Sequence, residues 1–414
     1  MMYFRSLNVK IEQMKGKIVL IVLIFCSFVL YGQKKVLFDA TKAEMAGNAD
    51  WVIDADHWDL GFSSGHYVLG GGNESDPQRF PTPSQSEVTS STLESFWTGA
   101  LSAWAIELVK QGYEVETLPY NGRITYGDTT NDQDLSHYQM FVVCEPNFRF
   151  TDSEKVAILR YVYNGGSLFM ISDHNQSDRD GDGWDSPHIW NDLMDNNPIK
   201  DNPFGITFDY KNFSDNTKVI INDASNPVIF GKYGRVEDVE FHGGTSMTLD
   251  PSKNSTVEGL VYYSGVGYPS GNTDVLVAMA RYGKGKVVAI GDSSPFDDGT
   301  GDRNDRLYDG WLEDASGNHK ILIMNASLWL LNSSVSRVKP SAGQNISLAN
   351  VRNGVVLSGL SFGGRVEVYD LTGREVYQAN SKGERMIITG LKPGIYILRY
   401  RNKEVVDRKF VILP

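Results

Sequence analysis

Cysteine and basic residues are both scarce in this chain of 414 residues. It has two cysteines, Cys26 and Cys144, so at most one intramolecular disulfide is possible. The 39 Lys and Arg residues are outnumbered by 51 Asp and Glu, which gives a formal net charge of −12. Such a charge disfavours nucleic-acid binding, which depends mainly on neutralising phosphates, and it suits the binding of cations.

Long hydrophobic runs are absent except at the start, where residues 18–30 are apolar apart from Ser27 and follow Lys10, Lys15 and Lys17. This pattern predicts a secretory signal peptide over residues 1–32, and the run is too short for a membrane span. We therefore expect a soluble exported product without a transmembrane segment. Cleavage would remove Cys26 and leave Cys144 without a disulfide partner.

Residues 33–333 alternate between strand and helix patterns. Strands are predicted at residues 34–40, 113–118, 140–144 and 167–172, helices at 96–111, 152–163 and 319–331, and a hairpin at 275–291. This βαβ spacing predicts a doubly wound, mainly parallel, flavodoxin-like α/β sheet. The long segment 41–92 interrupts it, and its aromatic residues argue against simple disorder. It is either a lid or wall over a site or a plain structural insertion.

A composition change marks a second domain. Residues 334–344 form a polar linker with one proline, and residues 345–414 switch to short alternating strands separated by turn signals. These features predict a small antiparallel all-β sandwich.

The strongest functional signal follows the strand at 167–172. Ligands of open α/β sheets bind beyond the carboxyl ends of the strands, and Asp173 and His174 stand at that position. His174 is the best catalytic candidate, as a general base paired with Asp173 or Glu145, or as a metal ligand. Ser293 is a weaker nucleophile candidate because no G-x-S-x-G elbow surrounds it. The alternative is that His174 is a structural hydrogen-bonding residue.

An acidic loop comes next along the chain. Asp178, Asp180, Asp182 and Gly183 repeat the first half of a calcium loop, but Ile189 stands where an EF-hand has its bidentate Glu. We expect a calcium ion, with a structural or a functional role, bound by residues of two loops: Asp178, Asp180, Asp182, Asp185, Asp292 and Asp298. The alternative is a solvated acidic turn without an ion. Ser186 and Pro187 are expected to begin a short helix.

A second acidic cluster follows the 275–291 hairpin, and it would complete a joint cation site if its strand lies beside the 167–172 strand. Its members are Asp297, Asp298, Asp302, Asp305 and Asp309. The remaining histidines lack metal-ligand spacing and are expected in loops or at the surface: His57, His66, His137, His242 and His319.

The last seventy residues closely resemble the C-terminal sorting domain of Bacteroidota type IX secretion cargo. The matching residues are Val368, Tyr369, Asp370, Gly373, Arg374, Gly390, Leu391, Gly394, Tyr396, Lys409, Phe410 and Val411. The resemblance implies that residues 345–414 engage the type IX machinery. It also implies export across the outer membrane, with the product either released or attached at the cell surface.

The segments GGSLFMISDH and GKGKVVAIGDSS resemble the class I glutamine amidotransferase-like superfamily, in its ThuA-like branch. The resemblance implies an α/β domain over residues 33–333. The amidotransferases place a nucleophilic Cys just after the first of these strands, where this chain has Asp173 and His174. Cys144 belongs to an earlier strand and is expected in the core, so glutamine amide hydrolysis is disfavoured.

Two functions remain open. The chain is either an exported, cation-assisted hydrolase of an extracellular carbohydrate or related polymer, or a non-catalytic, calcium-stabilised module that binds a polymer or small molecule at the cell surface. Two acidic loops and an aromatic insertion favour the hydrolase slightly.

Overall fold

The computed structural model describes most of the chain. The described residues are 34–46, 49–55, 61–63, 66–68, 82–301, 308–313, 318–332, 347–351, 354–358, 360–361, 363–370, 374–402 and 405–412. The predicted signal peptide and the linker lie outside them. The chain divides into two compact units, Met1–Ser333 and Ser334–Pro414.

The described residues of the first unit form a large sheet, several two-stranded ribbons and five α-helices. Its strands are β1 (Lys35–Asp39), β2 (Met45–Ala46), β3 (Ala49–Asp50), β4 (Gly61–Ser63), β5 (His66–Val68), β6 (Glu114–Leu118), β7 (Met140–Cys144), β8 (Ser167–Ile171), β9 (Ile206–Phe208), β10 (Phe213–Thr217), β11 (Phe230–Gly231), β12 (Gly234–Arg235), β13 (Val239–Gly244), β14 (Met247–Leu249), β15 (Glu258–Tyr262), β16 (Val275–Tyr282) and β17 (Gly285–Ile290). Its α-helices are α1 (Ser102–Lys110), α2 (Asp152–Asn164), α3 (Ser186–Asp195), α4 (Gly310–Glu313) and α5 (Asn318–Leu331). Short 3-10 helices span Glu94–Phe96, Leu135–His137, Ser264–Val266 and Ser294–Phe296.

Five parallel strands form the centre of the large sheet in the order β6-β1-β7-β8-β17. This is the flavodoxin-like order, and it confirms the predicted doubly wound α/β class. Beyond β17 the sheet continues with the antiparallel strands β16, β14 and β9, while β15 also pairs with β16. The mainly parallel sheet therefore has an antiparallel side.

The helices cover both faces of the sheet because side chains alternate along each strand. In β7, Met140 and Val142 pack in one hydrophobic cluster with α1 and α5, whereas Phe141 and Val143 pack in a second cluster with α2 and α3. Cys144 is buried in the first cluster as a free thiol, as expected. Strands covered on both faces explain the continuous apolar runs in the sequence.

The observed helix boundaries agree with those predicted from the sequence where a local N-cap determines them. Thr151 caps α2 with a full capping box formed with Glu154, as predicted. Helix α1 begins at Ser102 instead of residue 96, because the preceding backbone pairs with the 50–55 segment: Leu101 N donates to Val52 O and Ala55 N to Thr98 O. In α3 the N-cap is Asp185, one residue before the expected Ser186.

The described residues of the second unit form two antiparallel sheets. The strands are β18 (Ser347–Val351), β19 (Gly354–Ser358), β20 (Arg365–Asp370), β21 (Glu375–Asn380), β22 (Arg385–Thr389), β23 (Gly394–Arg401) and β24 (Val405–Ile412). Their orders are β18-β19-β22 and β21-β20-β23-β24. Val355 and Ile388 from one sheet and Val366 and Leu398 from the other share one core, which is the predicted all-β sandwich.

Trp104 is the side chain on which the α1 face of the core depends most. It is fully buried, its ring lies 5.1 Å from that of Phe38 and 5.2 Å from that of Phe169, and its Nε1 donates to Ser327 Oγ. Trp104→Ala should lower the free energy of unfolding by about 3–5 kcal/mol, because it leaves a large cavity and removes one hydrogen bond to Ser327. Urea denaturation measures this loss. Leu93 is 75% exposed. Leu93→Ala is therefore the control and should change the free energy of unfolding little.

Candidate functional site at the carboxyl edge of the sheet

Four adjacent parallel strands each lead into a buried carboxyl group. Asp39 ends β1, Glu145 follows β7, Asp173 follows β8 and Asp292 follows β17. The register aligns the last three, because Cys144, Ile171 and Ile290 are neighbours across β7, β8 and β17. The parallel sheet thus collects these carboxyl groups along one edge, where α/β proteins bind ligands.

Glu145 lies at the centre of this edge and is fully buried. Its Oε2 accepts hydrogen bonds from Trp51 Nε1 and from Ser293 Oγ, both 2.8 Å away. Its backbone has φ +46°, a left-handed conformation that a non-glycine residue adopts only when its surroundings hold it there. The sheet therefore fixes this carboxylate tightly, and the predicted candidates Glu145 and Ser293 are direct partners.

Arg179 bridges two of the carboxylates. Its guanidinium donates to Glu145 Oε1 at 2.9 Å through Nη2 and at 3.2 Å through Nε, and Nη2 also donates to Asp173 Oδ2 at 3.0 Å. The side chain of Arg179 is 23% exposed, and those of its partners are 0% and 6% exposed. This one cation is therefore the main compensation for two buried negative charges.

Asp173 and His174 form a second pair at the edge. His174 Nε2 lies 3.7 Å from Asp173 Oδ2. His174 Nδ1 lies 2.7 Å from the carbonyl oxygen of Asn175, which can only accept, so a proton on Nδ1 would satisfy this contact while Nε2 faces Asp173. Burial, followed by the charges of Glu145 and Asp292, raises the pKa of Asp173 well above its usual range.

Asp292 is buried beside this group but is bound to backbone atoms. Its two carboxylate oxygens accept hydrogen bonds from the backbone N–H groups of His242 and Ser294. Burial raises the pKa of Asp292 to about 6, although these N–H groups act against the rise. At the strand end Asp292 therefore accepts hydrogen bonds from strand β13 and from the 3-10 helix at Ser294–Phe296.

The acidic loop brings three of the predicted metal ligands together. Asp178, Asp180 and Asp182 each place a carboxylate oxygen within 4.8 Å of the other two. Burial, and then its neighbours Asp178 and Asp182, raise the pKa of Asp180 to about 7. Backbone N–H groups of Gly181 and Gly183 donate to Asp178, which curls the loop. Oxygen-only donors at this spacing fit a hard cation such as calcium.

The other three predicted ligands do not join this cluster within the described part of the chain. Asp185 caps α3 and also accepts from Gln176 N and from the ring of His188. Asp298 caps α1, because its Oδ2 accepts from Ser102 Oγ and Ala103 N. With Asp292 held by backbone groups, the structure does not assemble the two-loop cation site that the sequence suggested, since each carboxylate already closes a turn or a helix end.

The rest of the second acidic cluster is likewise occupied by local bonds. Asp297 accepts from Gly299 N and Tyr308 N, and Asp309 accepts from Leu312 N at the start of α4. Asp302 and Asp305 lie outside the described residues. These contacts favour the interpretation of a hydrogen-bonded loop.

The histidines outside the site are structural where they are described. His319 is fully buried in α5, with Nε2 accepting from Glu240 N, so its expected place in a loop or at the surface was wrong. His137 lies in a 3-10 helix, beside Asp132 O. His242 contributes its backbone to the site, and His57 lies outside the described residues.

Arg179 and Trp51 are the functional residues that sequence reasoning missed. Arg179 had one signal, as the lone cation among the aspartates of its loop. Trp51 belongs to the 41–92 segment, is 2% exposed and reaches Glu145, so this part of the segment is a wall of the site. Much of the remainder of that segment, including Trp58 and Phe80, lies outside the described residues.

Comparison with protein families identifies the second unit. Residues 345–413 match the family model of the secretion system C-terminal sorting domain. The chain carries the sorting tail of type IX secretion cargo. Such a tail directs export, followed by secretion or attachment at the cell surface. No curated protein matches the chain. Within the described residues, no helix has the combination of length and hydropathy needed to cross a membrane.

Comparison with solved structures finds low similarities. A ThuA-like protein from Parabacteroides merdae is 12% identical, with 75% of this chain and 93% of that one covered and a TM-score of 0.32. The N-terminal domain of mmIFT52 is 11% identical over 73% of this chain and 99% of its own, with a TM-score of 0.39. PorZ, a type IX secretion component of Porphyromonas gingivalis, is 20% identical over 18% of this chain and 13% of PorZ, with a TM-score of 0.17. None of these similarities assigns an activity.

Removing the Arg179 cation should destabilise the protein in a pH-dependent way. In Arg179→Met, the carboxyl groups of Glu145 and Asp173 would be buried without a counter-ion, which should cost about 3–5 kcal/mol at neutral pH. A buried carboxyl whose folded pKa is raised adds stability below its unfolded pKa and loses it as pH rises through the folded value. The deficit should therefore be smallest near pH 4 and grow toward pH 8, as measured by chemical denaturation.

The matched control is Arg123→Met. Arg123 pairs with Asp128 at 3.0 Å, but its side chain is 56% exposed, so its loss should cost about 0–1 kcal/mol at every pH. Equal losses in the two variants would contradict the role assigned to Arg179.

Proposed function

We propose that this type IX cargo protein is a hydrolase of an extracellular carbohydrate or related polymer, with its site at the carboxyl edge of the α/β sheet. The single observation that supports it best is the Asp173–His174 pair. His174 Nε2 lies 3.7 Å from the carboxyl oxygen of an acid whose pKa is strongly raised. Perturbed acids paired with a histidine at a strand end are typical of acid–base sites.

The two residues of the pair differ in exposure, and this difference assigns their roles in the proposed reaction. The His174 side chain is 21% exposed and that of Asp173 is 6% exposed, so His174 is the group that a substrate can reach. Because Nδ1 is held by the Asn175 carbonyl, Nε2 is the atom that accepts a proton from an attacking water. Nε2 then gives this proton to the leaving group, and Asp173 Oδ2, 3.7 Å away, acts electrostatically on the ring. Arg179 and Glu145 position Asp173 and are not required to touch the substrate.

Charge and exposed rings support a neutral polymer as the substrate class. An edge lined by carboxylates repels polyanions, in keeping with the net charge of −12. Tyr210 is 53% exposed and stacks on His188 with ring centroids 4.0 Å apart. Its chain neighbour Asn212 places its side-chain amide nitrogen 3.1 Å from His174 Nδ1. The exposed ring of Tyr210, two residues along the chain from Asn212, offers an apolar surface with a polar rim, which suits a sugar ring.

The test is hydrolysis by the mature protein of a panel of neutral polysaccharides, measured as reducing-end release. His174→Ala and Asp173→Asn should each lower kcat/KM by about 100-fold or more, since general acid–base groups contribute about that much. His137→Ala, at a histidine in a 3-10 helix, should leave the rate unchanged.

Circular dichroism and the denaturation midpoint establish that the variants are folded. Full activity in both folded variants, or no hydrolysis of any polymer by the parent protein, would reject the hydrolase assignment.

A calcium-stabilised binding module is the second candidate, and the carboxylate cluster of Asp178, Asp180 and Asp182 favours it. These residues would hold the ion, and the ion would supply a fixed positive charge that stiffens the loop bearing Arg179.

Calcium should then raise the melting temperature of the parent protein by several degrees over EDTA. Asp178→Asn/Asp180→Asn should lower the bound calcium by one ion per chain, as measured by equilibrium dialysis, and Asp182→Asn should weaken binding less, because Asp182 is the exposed member. Unchanged stoichiometry in the double variant would exclude this site.

A further inference from the structure

The loop after β1 concentrates buried oxygen atoms that lack hydrogen-bond partners. Several buried side-chain atoms within the described residues have no hydrogen-bond partner, and four of them lie in this loop or in the residue packed against it. The four atoms are Asp39 Oδ2, Thr41 Oγ1, Glu44 Oε1 and Asn147 Oδ1. Buried polar atoms in folded proteins nearly always have a partner, so such a concentration indicates a bound species.

The two carboxyl groups are held facing one another. Asp39 Oδ1 accepts from Thr41 N and Glu44 Oε2 accepts from Lys42 N, both at 3.0 Å. The side chains of Asp39 and Glu44 lie within hydrogen-bonding range of each other, and the residues are 3% and 1% exposed. One oxygen of each group is therefore committed to the backbone, and the other is available to a ligand between them.

Asn147 is fixed against the same loop. Its backbone N–H donates to Lys42 O at 2.8 Å, and its Nδ2 donates to Ala43 O at 2.8 Å and to Met45 O at 3.3 Å. The residue is fully buried, and these bonds account for its nitrogen atoms but not for Oδ1. Ala43 adopts φ +57°, a strained conformation that curls the loop around this region.

The nearby lysine compensates the two carboxyl groups only in part. The charge of Lys42 lowers the pKa of both carboxyl groups, against the larger effect of burial, but its Nζ pairs with Glu154 Oε1 at 2.7 Å. A single shared proton would join Asp39 to Glu44, and the Thr41 hydroxyl can donate to Asp39, but Asn147 Oδ1 would remain without a partner. A cation with several oxygen ligands accounts for more of the four atoms than a proton does.

We propose that the loop formed by residues 39–44, together with Asn147, binds a calcium ion through the carboxylates of Asp39 and Glu44. Two carboxylates match the charge of a divalent ion, and the oxygen-only donor set matches its chemistry. This site is separate from the Asp178 loop and does not depend on the proposed hydrolase. It would anchor the wall of the candidate site, because Asn147 Nδ2 also donates to the backbone oxygen of Glu145 at 3.0 Å.

The experiment uses the mature Asp178→Asn/Asp180→Asn protein, in which the acidic loop has lost two ligands. Calcium at constant ionic strength should raise its melting temperature by about 3 °C or more over EDTA, and equilibrium dialysis should find one calcium per chain. Adding Glu44→Gln should abolish both effects, because an amide replaces one of the two charged ligands. Glu87→Gln, at an exposed residue, is the matched control and should preserve both.

The competing shared-proton arrangement gives opposite results. A Gln at position 44 would donate its amide N–H to Asp39, so Glu44→Gln would keep or raise the melting temperature, and calcium would have no effect in either background. That outcome, or the absence of bound calcium in the double variant, would overturn the proposal. The dialysis of the double variant decides the matter even if Glu44→Gln does not fold.

Discussion

Burial of several carboxyl groups at one end of a parallel sheet is the constraint on which the candidate site depends. Glu145, Asp173 and Asp292 are each at most 4% exposed, and each raises the cost of ionising its neighbours. Such a group is stable only if hydrogen-bond donors, a cation or bound protons compensate the charge. The structure uses all three, with Arg179 as the cation, backbone and side-chain N–H and O–H groups as donors, and a raised pKa at Asp173.

The compensation is distributed among distant segments of the chain. Trp51 and Ser293 each donate to Glu145 Oε2, although they lie far from it and from each other in sequence. Arg179 reaches back from the acidic loop to the ends of β7 and β8. The site is therefore a meeting point of four segments, and a change in one of them alters the electrostatics of the others.

The acidic loop links the two functions considered for the α/β unit. Its aspartates are spaced for a cation, and the arginine between them is the counter-ion of the buried carboxylates. Order in this loop is thus coupled to the position of Asp173 and His174, whether the unit catalyses a reaction or only binds. The export tail is a distinct folding unit. Its family match concerns export of the protein and not the chemistry of the α/β unit.

The sequence by itself determined the elements whose signals are local. The buried strands at Met140–Cys144 and Ser167–Ile171, the capped helix α2, the hairpin of β16 and β17 and the sorting tail all follow from short-range periodicity, caps and turn residues. It also placed Glu145, Asp173, His174 and Ser293 at strand ends, because a parallel sheet brings such ends together. Only the tertiary structure decided which aspartates join a possible cation site, since Asp292 and Asp298 are held by long-range contacts with His242 and Ser102. It alone revealed Arg179 as the counter-ion, because a guanidinium reaches its partners through space and sequence spacing does not encode that path.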